Sequence, residues 1–160
     1  MKVGEFDFTN VNHFVAMEYY WLILNRTFLI LLTDTKLIGI KVNGPIGVQS
    51  SDPIVNPLPL AIDGDLQNPN SYINMKYVER IKDVNLLSDS FLKIDKSNFI
   101  INRLDIIRTE HDKSKKWGMG YYPHDGKVYI TTHDNSRREF IILGSQSVEE
   151  IAKRLVNKSR

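Results

Sequence analysis

Histidine and aspartate stand side by side three times in the last third of the chain, as His111-Asp112, His124-Asp125 and His133-Asp134. An imidazole beside a carboxylate is a combination that binds metals and performs general acid–base catalysis. Polar residues of these types also open tight turns. We favour the turn interpretation and keep a metal or catalytic role for His111 and His133 as the alternative.

The expected strand directions argue against a shared site. Nine residues of extended chain would separate His124 from His133 by roughly 25–30 Å. His111 and His133 are expected on one rim of the sheet, about two strand spacings or 10 Å apart, which is too wide for two ligands of one ion. We therefore predict no catalytic residue, no metal centre and no cofactor.

Two basic loops begin at His111 and His133. Residues 111–116 and 133–138 are expected on that same rim, and each loop contains one serine. A ring of cations around two hydroxyls is suited to a phosphate or a carboxylate. The alternative is a pair of solvated hairpin tips whose charges discourage edge-to-edge pairing of sheets. The predicted anion-binding residues are Lys113, Lys115, Lys116, Arg137 and Arg138.

Aromatic residues form a second candidate surface. Tyr19, Tyr20 and Trp21 alternate along an expected strand, so at least one of them faces outward. We name Tyr20, Trp21 and Trp117 as candidates for binding a protein partner, although core packing is the commoner role of such side chains. A second copy of the chain, held through these aromatics or through a strand edge, is a further hypothesis.

The chain lacks the residues or motifs that several kinds of chemistry require. The chain has no cysteine, which removes disulfides and thiolate nucleophiles, and it has no nucleophile elbow, Walker-type phosphate loop or dinucleotide fingerprint. Asp63 and Asp65 resemble a cation loop but lack the later glutamate of the calcium pattern. The enzyme hypothesis that remains would combine His111 or His133 with the Asp65 region.

The elements that must position these residues are mainly strands. Apolar runs at 18–24, 27–33 and 37–42 predict an antiparallel meander whose first turn is Asn25-Arg26. Residues 43–71 contain five of the six prolines, which predicts a Pro-rich insertion, either a functional loop or a cover over one end of the sheet. The spacing of apolar residues in 71–84 favours a helix. Shorter apolar runs follow at 91–95 and 99–108.

The last third predicts a hairpin and a closing helix. Residues 117–122 and 127–132 form the expected hairpin around 123–126, and a strand at 137–143 follows another turn. Ser147 and Glu150 form a capping box. The apolar stripe of the short helix must pack on the sheet, since the helix is too short to persist alone. The stripe is Val148, Ile151, Ala152, Leu155 and Val156.

These elements give an α+β, mainly antiparallel fold of about seven strands with a C-terminal helix, in one domain spanning residues 1–160. Residues 31–38 (LLTDTKLI) and 138–143 (REFIIL), which leads into the helix, are similar to segments of the PH-like superfamily, including GRAM-like and bacterial PH-like domains. The resemblance implies a partly open barrel capped by the helix and a non-enzymatic binding or scaffolding role. Eukaryotic relatives that bind inositides carry their cations between the first two strands, where this chain has Asn25-Arg26, so the resemblance argues against inositide binding.

Charge and hydropathy limit the partners and the location. Residues 1–90 carry seven Lys and Arg against ten Asp and Glu, and residues 91–160 carry fourteen against nine. This mild asymmetry predicts no specific nucleic-acid binding. The most apolar window, 21–40, contains Arg26, Asp34 and Lys36, which excludes a membrane span. No signal peptide is recognisable, so we expect a cytoplasmic protein.

Overall fold

Seven antiparallel strands form one sheet in a computed structural model that describes residues 1–47, 62 and 64–156. The α+β class, the strand number and the C-terminal helix are confirmed. The strands are β1 His13–Trp21, β2 Leu24–Leu32, β3 Lys36–Asn43, β4 Phe99–Asn102, β5 Ile106–Asp112, β6 His124–Thr132 and β7 Arg137–Leu143. The helices are α1 Met75–Glu79, α2 Asp89–Ile94 and α3 Val148–Leu155. None of the helices in the described part of the chain has both the length and the apolar character needed to cross a membrane.

The two edges of the sheet belong to consecutive strands. The order is β4-β3-β2-β1-β7-β6-β5, and β4 leads into β5 through the 3-10 turn Arg103–Asp105. Six strand spacings of a flat sheet would separate its edges by roughly 29 Å, whereas the four Cα steps from Asn102 to Ile106 reach at most about 15 Å. The open sheet must therefore curl until its edges approach each other.

The sheet buries apolar side chains on both faces. We call the face that contacts α3 the inner face, where Phe14, Phe28 and Phe140 pack with the helix. On the outer face, Met17, Leu29 and Ile40 are among the residues covered by the N-terminal segment, α1 and α2. Strands that are buried on both faces have sequences of consecutive apolar residues. This explains why β2 is apolar over most of its length.

The closing helix α3 follows its predicted pattern closely. Ser147 accepts a hydrogen bond from the Glu150 amide at 3.3 Å, but the Glu150 carboxylate binds Arg154 and does not complete the capping box. Four of the five predicted stripe residues are buried. The exception is Val156, which ends the helix as its C-cap and is exposed.

The middle of the chain differs from its predicted elements. The expected helix over 71–84 is reduced to α1, because a 3-10 turn at Pro69–Tyr72 precedes it and the Asn74 side chain accepts a hydrogen bond from the Lys76 amide, which starts a new helix. Residues 91–95 belong mostly to α2, whose Phe91 is buried in the outer-face cluster.

Two predicted turns are also misplaced. The first hairpin turns at Leu22-Ile23, since Trp21 pairs with Leu24, and not at Asn25-Arg26. Asn25 is fully buried in β2, where its amide group hydrogen-bonds the Ile46 backbone in both directions. The expected strand at 117–122 is a series of turns, so β5 pairs directly with β6.

The described ends of the Pro-rich insertion are fixed to the sheet. Asn25 holds Ile46, and the Asn43 side chain donates to the Tyr72 carbonyl at 3.2 Å. At these ends the insertion acts as a cover of the outer face. Predictions that concern 48–61 and Asp63 fall outside the described residues.

The contact of Gly39 with Phe99 provides a test of this packing. A Cβ atom at Gly39 would lie 1.9 Å from Phe99 Cε1. We expect Gly39→Ala to lower the free energy of unfolding by about 1–3 kcal/mol in urea denaturation. Gly4→Ala is the matched control, because an added Cβ meets nothing within 4 Å there. Phe99→Leu in the Gly39→Ala background should recover part of the loss; equal stability of the two alanine variants would contradict this packing.

Candidate binding surfaces

The histidine pairs do not form a common site. β5 is antiparallel to β6, with Asp112 opposite Lys127 and Ile106 opposite Thr132. His111 therefore lies where β6 begins, whereas His133 follows its far end, so the prediction that they share a rim is wrong. The error comes from residues 117–122, whose expected strand would have reversed the chain once more. Among the residues that the structure describes, no three His, Asp or Glu side chains are grouped as a metal site requires.

His124 is a buried structural residue. Its Nε2 accepts a hydrogen bond from the Lys116 amide at 2.9 Å, and its Nδ1 lies 3.0 Å from the Tyr122 carbonyl. These two partners require the neutral ring with its proton on Nδ1. Burial lowers the pKa of His124. The ring thus fastens the 113–123 connection to the start of β6 and leaves no nitrogen for a metal.

The five predicted anion-binding cations do not converge on one place. Lys113 pairs with Glu149 at 3.1 Å, Lys116 pairs with Glu139, and Lys115 donates to the His124 carbonyl. Arg137, at the other end of β6, stacks over Tyr129 with its guanidinium carbon 4.2 Å from the ring centroid. The expected collar that unites both loops is therefore wrong, and a binding role for any single cation stays a prediction.

Arg138 belongs to a charged network that closes over the inner face. Its guanidinium binds Glu18 with two hydrogen bonds of 3.0 and 2.9 Å. Arg26 binds the same carboxylate, with Nη2 2.8 Å from Oε2. The guanidinium carbon of Arg138 also lies 3.6 Å from the centroid of the Phe99 ring. Glu18 and Arg26 were not predicted, because only the strand register brings them to Arg138.

Aromatic side chains are exposed at the tip of the first hairpin. Tyr20, Trp21 and Leu22 are 48%, 65% and 73% exposed. Leu22 has a φ of 46°, a left-handed conformation that two-residue hairpin loops normally give to Asn or Gly. Water contact and backbone strain both disfavour a leucine here, and such strain concentrates at functional positions.

A second segment with exposed aromatic side chains contacts β1, the strand that leads to this tip. Trp117 is 81% and Tyr121 is 54% exposed. The turns of 117–122 are joined to β1 because the Tyr19 hydroxyl lies 3.5 Å from Met119 Sδ, and Lys116 Nζ lies 5.4 Å from the Tyr19 ring centroid. We call the exposed set the aromatic surface; it consists of Tyr20, Trp21, Leu22, Trp117 and Tyr121. All three predicted partner-binding residues are exposed in it, whereas Leu22 was not predicted.

The Glu18 network gives a stability prediction. Removing the buried carboxylate leaves two arginines without their shared partner, so Glu18→Ala should lower the free energy of unfolding by about 3–5 kcal/mol. Glu110→Ala is the matched control, since Glu110 pairs with Arg108 at the surface and such pairs contribute about 0–1 kcal/mol. Equal losses in chemical denaturation would contradict the role assigned to Glu18.

His124 gives a pH prediction. In the unfolded chain a histidine takes up its proton near pH 6.5, but the folded protein resists protonation of His124 to a lower pH because the ring is buried. The unfolded state therefore binds more protons in this range, and stability should fall as the pH drops below about 6.5. We expect His124→Gln to flatten this pH dependence in thermal unfolding experiments; an unchanged slope would contradict the neutral, buried ring.

Comparisons with known proteins give no family for this geometry: no protein-family model, no curated protein and no solved structure matches the chain. The function must therefore be inferred from the residues described above.

Proposed function

We propose that this chain is a non-enzymatic, PH-like binding domain that holds a protein partner on its aromatic surface. The observation that carries the proposal is the exposure of both tryptophans of the chain on neighbouring segments, next to a strained leucine. Trp and Tyr dominate the energetic centres of protein interfaces, because they contribute large contact areas with few rotatable bonds.

Charge favours a protein over a membrane as the occupant. The nearest cations, Arg26 and Lys116, are held by the carboxylates of Glu18 and Glu139. Because Arg26 shares Glu18 with Arg138, one positive charge remains there. Basic membrane-binding segments instead present clusters of about four to eight cations to anionic headgroups. We therefore expect a partner with an apolar pocket or groove that receives Trp21 and Leu22.

The PH-like part of the proposal is supported by architecture. An antiparallel, curled sheet of seven strands with a C-terminal helix on its inner face is the arrangement that the resemblance implies. The first hairpin turns at Leu22-Ile23, with no cation in the turn, and this argues further against inositide binding. We also propose a cytoplasmic location, which the absence of cysteine favours.

An enzymatic role has less support. Lys127 Nζ lies 2.8 Å from Ser114 Oγ, which has the form of a serine–lysine pair. The hydrogen bond from Lys127 to Asp112 raises the pKa of the lysine, so Lys127 stays protonated and cannot accept the serine proton. Asp112 thus makes this cluster a structural contact.

The aromatic surface is tested by a double variant, Trp21→Ser with Trp117→Ser. Loss of a central interface aromatic costs at least about 2 kcal/mol, or roughly thirtyfold in Kd. Leu104→Ser is the matched control, because Leu104 is 69% exposed outside this surface. A partner captured from cells should be purified and its Kd measured with each protein: we expect weaker binding by the double variant alone.

Three further outcomes test the aromatic surface and the kind of partner that it binds. Equal Kd values for the double variant and the wild type would overturn the proposed surface. Sedimentation with phosphatidylserine vesicles that depends on both tryptophans would replace the protein partner by a membrane. A dimer in analytical ultracentrifugation that the double variant loses would identify the partner as a second copy of the chain.

A further inference from the structure

A cleft of about 470 Å³ opens between β4, which forms one edge of the curled sheet, and residues of β6 and β7. One wall is β4, with Ile100, Ile101 and Asn102, and the opposite wall includes Ile130 of β6 and Arg138 of β7. Its volume is within the range of about 300–1,000 Å³ that is typical of ligand pockets in proteins. The cleft is separate from the aromatic surface, since none of its lining residues belongs to that surface.

The lining of β4 shows how the cleft is oriented. Successive residues of a strand point to opposite faces, so a cleft that touches three consecutive residues must run along the edge of the strand. β4 is the terminal strand of the sheet and is paired with β3 on its other side. In the described part of the chain, no strand pairs with the other edge of β4. An unpaired strand edge carries backbone N–H and C=O groups that can pair with another chain.

The cleft is lined by both apolar and charged side chains. Ile100, Ile101 and Ile130 supply apolar surface, and Asp105 and Asp134 come from the turns that follow β4 and β6. Hydrogen bonds from Thr132 and Ser136 lower the pKa of Asp134 to about 2, which keeps it charged. Arg138 is already bound to Glu18, and within the described residues neither aspartate forms an ion pair.

We propose that this cleft binds an extended peptide segment that adds as a strand to the edge of β4. Its main chain hydrogen-bonds the free edge, its aliphatic side chains lie against the three isoleucines, and a basic residue faces Asp105 and Asp134. Addition of a strand to a free sheet edge gives affinity through the main chain, and the flanking pockets give specificity. This site does not depend on the proposed function of the aromatic surface.

The probe is a pool of fluorescently labelled pentapeptides with amidated ends, aliphatic at the second and fourth positions and ending in lysine. Fluorescence anisotropy should identify binders, and their addition should shift the amide NMR signals of residues 99–102. In the best binder, N-methylation of alternate backbone amides should weaken binding at least about tenfold, since it removes the main-chain hydrogen bonds. Lysine→Glu in the peptide and Asp105→Asn in the protein should each weaken binding severalfold.

The Trp21→Ser, Trp117→Ser double variant is the matched control and should bind these peptides as the wild type does. The experiment therefore distinguishes an error in the proposed peptide site from an error in the proposed function of the aromatic surface. Absence of any binder with a Kd below about 1 mM would overturn the proposal. Binding that tolerates N-methylation, or amide shifts that avoid residues 99–102, would overturn it as well.

Discussion

In the middle of the sheet, successive side chains point to opposite faces, and nearly all of them are buried. In β2, the run from Thr27 to Leu32 contains no exposed or half-exposed side chain. Each large apolar side chain contributes about 1.5–3 kcal/mol when it is removed from water, so such strands require cover on both faces. α3 provides this cover on the inner face, and the N-terminal segment, α1 and α2 provide it on the outer face. The insertion after β3 is therefore part of the core at its described ends.

The places where this cover ends determine which side chains are exposed and available to a partner. β1 and β2 extend past the outer cover, so Tyr20, Trp21 and Leu22 are left in water. On the strands β5, β6 and β7 the outer face changes to charged side chains that pair with one another, as Lys127 does with Asp112 and Lys116 with Glu139. The cations that sequence alone marks as ligand-binding contact carboxylates, a carbonyl or an aromatic ring of the protein itself. Trp21 and Trp117, in contrast, remain mostly exposed.

The sequence predicted the parts of the fold that local signals determine. Continuous apolar runs located β2, β3 and β7, and the serine cap with its stripe located α3. The errors arise where tertiary packing decides. Met119 and Tyr122 are buried in the outer-face cluster from a series of turns, so their apolar character resembled a strand and placed His111 on the wrong rim. Asn25, a residue typical of turns, is buried because Ile46 satisfies its amide.

The candidate surfaces were predictable to a similar extent. Residue type alone identified Tyr20, Trp21 and Trp117, since large aromatics in strands and loops either fill a core or meet a partner. Leu22 was missed because its significance lies in a backbone angle, and the Glu18 network was missed because three strands contribute to it. The cleft beside β4 depends on the curl of the whole sheet, which no local pattern encodes.

The central claim is that the aromatic surface is covered by a partner protein in the cell. Hydroxyl-radical footprinting tests this claim directly. The oxidation rates of Trp21 and Trp117 are measured in the purified protein and in intact cells, and Leu104 serves as the internal reference. We expect both tryptophans to react several times more slowly in cells than in the purified protein, while the reactivity of Leu104 is unchanged. Equal reactivity of both tryptophans in the two settings would contradict it.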